Sequence, residues 1–190
     1  MTTSSGALFA SPAEWAGPPR IGPLRLSRAN ASVRFSVRFL RAVQIRGSFE
    51  TLEGSLTYDE AEPSAASLEA RVEVASIVTG NRLRDAHLRS PAWLDARRHP
   101  HIEVRATRFE RVHGGISVAG TVAMRGQRAP VVISCTTRDG SSGLELLGRL
   151  TVARSPHGVG PRPYGVAPWD PRTYLVDDAV SVELRLRLAP

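Results

Sequence analysis

Lysine is absent from this chain: all 25 of its basic residues are arginine, which against 18 acidic residues leaves a formal charge of +7. An all-arginine excess reads as compositional bias rather than a selected phosphate-binding surface, and the arginines are dispersed. Arg34, Arg38, Arg71, Arg185 and Arg187 fall on the polar positions of alternating segments. There a long side chain covers an outer sheet face and keeps its head in water. No specific nucleic-acid partner is expected; charge alone predicts weak attraction to an anionic membrane surface. Cysteine is nearly absent too. Cys135 stands alone, which excludes an intramolecular disulfide framework and fits a reducing compartment. It falls on the same face of VVISCTT as Val131 and Ile133, the position of a buried core thiol rather than a nucleophile.

Long apolar runs are missing, so no window can span a bilayer. The first residues lack a basic start followed by an unbroken apolar core, and Pro12, Glu14, Pro18 and Pro19 interrupt the one candidate. That is not a signal peptide, and a cytoplasmic protein is expected. Catalytic spacings are scarce as well. The five histidines, His87, His99, His101, His113 and His157, form no i, i+4 pair with a glutamate, and there is no glycine-rich phosphate cradle or nucleophile elbow. His99 and His101 flank a proline and Asp85 lies two residues before His87, but spacing alone does not bring three or four ligands together. No metal, cofactor or catalytic residue is expected.

What the chain has in quantity is period-two alternation. Val33, Phe35, Val37 and Phe39 alternate with Arg34, Ser36 and Arg38; Leu68, Ala70, Val72 and Val74 alternate with Glu69, Arg71 and Glu73. The same pattern places Leu56, then Ile102 and Val104, then Ile116, Val118 and Val122, then Ile133, Leu146 and Leu150, and finally Val182 and Leu184 on inward faces. Strands with one wet face belong to antiparallel sheets joined by hairpins, and about eight or nine of them in a chain of 190 residues must curl into a barrel or sandwich. Aromatics are only 6% of the residues, so bulky plugs are few and an apolar cavity inside the barrel is expected. Residues 1–23, rich in Ser, Ala, Gly and Pro, read as a disordered or loosely docked arm before a single domain over 24–190.

Two connections break the hairpin rhythm. Ser155 to Asp178 is a Pro/Gly-rich excursion whose Tyr164, Trp169 and Tyr174 are expected to pack in part on the body. Thr79 to Pro100, TGNRLRDAHLRSPAWLDARRHP, carries a helix-start signal and a dense set of polar and bulky residues. Connections of that length tend to carry function.

The order ASVRFSVRF, IRGSFETLEGSLTYD, ASIVTGNRLRDAHLRSPAWLDARRHPHIEV, VAGTVAMRGQRAPVVI and DDAVSVELRLRL, from about Leu24 to Leu188, resembles the YceI-like, polyisoprenoid-binding family. The central motif matches at Thr79, Gly80, Asn81, Arg84, Asp85, His87, Leu88, Arg89, Ser90 and Pro100. The resemblance implies an all-β, extended eight-stranded antiparallel lipocalin-like barrel with a short helical lid. It also implies an apolar tunnel that binds a long isoprenoid or other lipid without catalysis. Departures are Asn30-Ala31 where a His-Ser pair is common, Phe39 where a His often closes the strand, Trp93-Leu94 before Asp95, and Pro156-His157 after Arg154-Ser155.

Thr79 or Asn81 is suited to cap the lid helix, and Asp85 and His87 to pair with arginines that pin it. Leu83, Leu88, Trp93 and Leu94 are expected to face inward, and Arg84 and Arg89 are candidates for a phosphate or carboxylate head group. Two further classes stay open: a side-chain-filled barrel acting as an interaction or stress-response module, and a small-molecule enzyme using Asp85, His87 and Arg84. The sequence leaves open whether two copies pair as a homodimer.

Overall fold

Alternation of this kind leaves every strand with one face that must leave water, and the chain meets that demand by curling one sheet around its own apolar side. The computed structural model describes residues 20–40, 42–140, 143–160 and 176–188. Its strands are β1 (Arg20–Leu26), β2 (Ala31–Phe39), β3 (Val43–Phe49), β4 (Leu52–Asp59), β5 (Ser67–Glu73), β6 (Ile77–Val78), β7 (His101–Val112), β8 (Gly115–Met124), β9 (Gln127–Gly140), β10 (Gly143–Ala153) and β11 (Ala179–Arg187), with one α-helix, α1 (Arg82–Arg89). All pairings are antiparallel, in the order β1-β4-β5-β7-β8-β9-β10-β11-β2-β3-β6.

The expected class holds, with eleven strands in a strongly curled, barrel-like sheet rather than eight. Of the strands beyond eight, two were invisible to periodicity. β1 begins at Arg20, inside the stretch assigned to the arm, and β6 is two residues long. Where β3 runs into β4, the chain is tied to the turn that follows β5. At that corner Glu50 N–H donates to Ser76 O (3.2 Å), Thr51 N–H to Ser76 Oγ (3.1 Å) and Glu73 N–H to Thr51 O (3.0 Å).

Register follows the alternation. On β9, Val131, Ile133 and Cys135 are buried while Val132, Ser134 and Thr136 are exposed. The outer face is clothed in arginine: Arg138 donates from Nε and Nη2 to Glu145 Oε2 at 3.0 and 2.8 Å, and Arg185 stands 3.9 Å away. The hydrogen bond from Arg138 holds the Glu145 carboxyl below the usual carboxylate range. Cys135 is a buried thiol.

Candidate ligand-binding site

Inside the curl lies a cavity of about 220 Å³ whose lining is almost wholly apolar. Val33, Phe35, Val37, Leu56, Val72, Leu88, Trp93, Leu94, Ile102, Val104, Ile116, Val118, Val122, Ile133, Leu146, Leu150, Val182 and Leu184 line it, all from the inward set. Aromatic side chains are scarce in the chain but concentrated here: Phe35 and Phe49 face each other at 5.6 Å, Tyr58 and Phe109 at 6.0 Å, both tilted. Phe35 reaches its place because its cross-strand partner is Gly47, where a Cβ would stand 2.4 Å from the ring. A dry apolar cavity of this order excludes water and accepts apolar guests.

Three residues of the inward set lie elsewhere. Val74 is buried, but the chain turns into a single 3₁₀ turn at Val74–Ser76, which takes it out of the β5 alternation and into a cluster with Ile77, Leu94 and Val159 beneath the lid. Phe39 sits where β2 outruns the barrel and lines an open groove outside it. Leu83 is 85% exposed. Residues 83 and 88 are five apart on a helix of 3.6 residues per turn, so they cannot share a face, and Leu88 takes the inward one.

The lid is fastened by polar groups, though not through the arginine pairs expected. Asn81 is the cap: its Oδ1 accepts from Leu83 N–H and Arg84 N–H, both at 3.1 Å. Asp85, 7% exposed, accepts from Thr79 N–H (2.9 Å) and Thr79 Oγ1 (2.5 Å). His87 Nε2 accepts from Trp93 Nε1 at 3.1 Å, with the two rings edge-on. Arg84 donates from Nε to Thr79 Oγ1 and from Nη2 to Thr79 O, both 2.8 Å, and Arg89 from Nη2 to Ile77 O at 2.7 Å. Arg89 thus ties α1 to β6 and Arg84 ties it to Thr79, the residue after β6; neither lines the cavity. Arg125 clamps the following turn from the other side by donating to Pro91 O and Trp93 O.

The charged residue that does line the cavity is Arg154, 3% exposed. It donates from Nη1 to Val159 O (2.7 Å), from Nη2 to Val176 O (3.0 Å) and from Nε to Asp177 O (3.1 Å), while Ser155 N–H and Oγ donate to the Asp178 carboxylate. Burial pushes the guanidinium down from its ordinary value, and Asp178 and Asp177 oppose that. This knot sets Val159 against the cavity and brings Gly160, at φ 71, under the Trp93 ring, where a Cβ would stand 2.8 Å from it. His157, 1% exposed, hydrogen-bonds through Nδ1 with Gln127 O at 3.0 Å, and its Nε2 has no partner among the described residues. The Arg154-Ser155 pair at the end of β10 was the available signal for this end of the site. Tyr164, Trp169 and Tyr174 lie outside the described residues.

A family model described as the YceI-like domain matches residues 24–188. The chain belongs to the YceI-like family. UPF0312 proteins are similar to it, one of Vibrio cholerae being 31% identical over 107 residues and one of Pectobacterium carotovorum 28% identical over 102. These alignments cover 56% and 54% of this chain and 57% and 53% of the relatives, so the chain spans little more than half the length of the curated relatives it matches. Among solved structures, BcnA of Burkholderia cenocepacia aligns with a TM-score of 0.71 at 21% identity, over 84% of this chain and 96% of that one. A polyisoprenoid-binding domain from Saccharophagus degradans, implicated in plant cell wall breakdown, aligns at 0.59 and 13% identity, over 87% and 97%. At such identities the likeness is one of fold, and the YceI-like fold is shared. Among the described residues no three His, Cys, Asp or Glu converge on a common point, and no helix is long and apolar enough to cross a membrane.

Proposed function

We propose that this YceI-like protein binds the chain of an isoprenoid or other lipid in the cavity of its curled sheet, without catalysis, and carries it. The observation that supports this most is the apolar cavity of about 220 Å³, walled by residues from all eleven strands and capped by Leu88, Trp93 and Leu94. At about 30 Å³ per water-sized group it has room for about seven chain carbons. Each methylene moved from water contributes about 0.8 kcal/mol. A longer chain would run out past the lid. The neighbour from Saccharophagus degradans, described as polyisoprenoid-binding, supports the ligand class. The unfilled interior favours this reading over a side-chain-filled interaction module. The lid's Asp85 and His87 are engaged with Thr79 and Trp93, which disfavours an enzyme built on them. We further propose, from the one buried cysteine, that the protein works in the cytoplasm, which cell fractionation tests.

Titration with a soluble fluorescent prenyl probe tests the cavity. Saturable binding that unlabelled polyprenol displaces is expected; no displaceable binding would contradict the proposal.

A further inference from the structure

Beyond the barrel mouth the inner face of β2 and β3 continues into solvent. Phe39, Val43 and Ile45 from this hairpin and Asn81, Leu83, Arg84 and His87 from the start of the lid line an open groove. Leu83 is 85% exposed, Val43 54%, and Leu40 at the hairpin tip 53%. Leu40 also holds φ 52, a left-handed backbone that suits glycine or asparagine and strains a leucine. Solvent exposure and backbone both disfavour leucine there, so nothing in the folded chain alone accounts for it. Exposed arginines stand on the same elements: Arg38 and Arg46 on the outer face of the hairpin, Arg82 beside Leu83. Among the described residues no carboxylate lines the groove. Asp177, whose N–H donates to Arg38 O at 2.9 Å, offsets part of this charge.

We propose that this end of the protein docks on an anionic lipid bilayer. Leu40, Val43 and Leu83 enter the boundary between headgroups and acyl chains, while Arg38, Arg46 and Arg82 lie against lipid phosphates. An apolar side with an arginine border is the surface such a boundary accepts. A second copy fits less well, because a symmetric contact would set arginines against arginines. The groove adjoins the cavity along two elements. Along β2, Val33, Phe35 and Val37 line the cavity and Phe39 the groove; along α1, Leu88 lines the cavity while Arg84 and His87 line the groove. A docked molecule would therefore present its mouth to the membrane, and an apolar chain could pass between bilayer and cavity without crossing bulk water. The passage of cargo rests on the proposed function; the docking itself does not.

Co-sedimentation of the full chain with vesicles tests this, using phosphatidylcholine alone and phosphatidylcholine mixed with phosphatidylglycerol, at low and high salt. Binding is expected to the anionic vesicles only and to weaken with salt. The double change Leu83→Glu with Val43→Glu should lower it by at least about tenfold. Arg38→Gln and Arg82→Gln should each lower it about fivefold. Leu40→Asn, which suits the left-handed backbone, should weaken docking with no fall in melting temperature. Uptake of a soluble prenyl probe without vesicles should be unchanged in all of these variants. Equal binding to both vesicle types, no binding at low salt, or full binding by the double variant would overturn the proposal. So would a wild-type dimer in sedimentation equilibrium that Leu83→Glu dissolves, since the patch would then be a self-interface. If wild type binds anionic vesicles but takes up no probe, docking is supported and the cavity reading is the one that fails.

Discussion

Val118→Phe separates a cavity from a filled core. Val118 is 3% exposed at the centre of β8, opposite Phe109 on β7 and Ile133 on β9, and its side chain lines the cavity. The change adds about four heavy atoms to a space with room for about seven water-sized groups. It therefore displaces about four ligand methylenes. At about 0.8 kcal/mol each the loss is about 3 kcal/mol, or roughly 200-fold in Kd. Folding should be hardly affected: a phenyl group entering empty apolar space needs no polar partner, so stability in urea should stay within about 1 kcal/mol of wild type. In a filled core the same change would overpack and cost about 1 to 3 kcal/mol. Prenyl-probe titration and urea melts on one preparation read both quantities. Unchanged affinity would refute the assignment, and so would lost affinity accompanied by overpacking-scale destabilisation.

The lid and the mouth carry their own expectations. Asn81→Ala strips two helix-start amides of their acceptor and should cost about 1 kcal/mol in urea melts, with a matching rise in hydrogen exchange at Leu83 and Arg84. Arg154→Lys loses the planar fork that serves carbonyls of Val159, Val176 and Asp177 among the described residues and should cost on the order of 2 to 3 kcal/mol; a change under about 0.5 kcal/mol would mean those contacts hold little together. Burial pushes the Cys135 thiol up to about 12, above its value of about 8.5 in an unfolded chain. Since the unfolded state loses its proton first, the contribution is intact below about pH 8.5 and shrinks by about 1.4 kcal/mol per unit as pH rises toward the folded value. Between about pH 8.5 and about pH 10 wild type should lose about 2 kcal/mol more than Cys135→Ala; parallel losses would refute it.

The sheet was legible because half-buried strands write their environment into alternate residues: Val33, Phe35 and Val37 announce one face wherever they are read. That rule fails where the chain leaves strand geometry. Val74 keeps the period of β5 but sits in a turn, and Phe39 keeps the period of β2 but lies beyond the mouth. The lid's chemistry was legible in residue type and not in pairing. Asn81 capping is local, fixed by a few bonds, whereas the partner of Asp85 depends on how Thr79 is carried back over the helix. Arg84 and Arg89 looked free because sequence cannot show a backbone carbonyl within reach. Arg154 escaped as a lining residue because the carbonyls it serves among the described residues come from segments brought together only in the folded chain.

The central claim is that the cavity holds an apolar chain, and native mass spectrometry of the protein purified from its own host tests it most directly. The account predicts an adduct that organic extraction releases as an isoprenoid or other lipid and that is reduced in Val118→Phe. Consistently adduct-free protein, together with no uptake of added polyprenol, would contradict it.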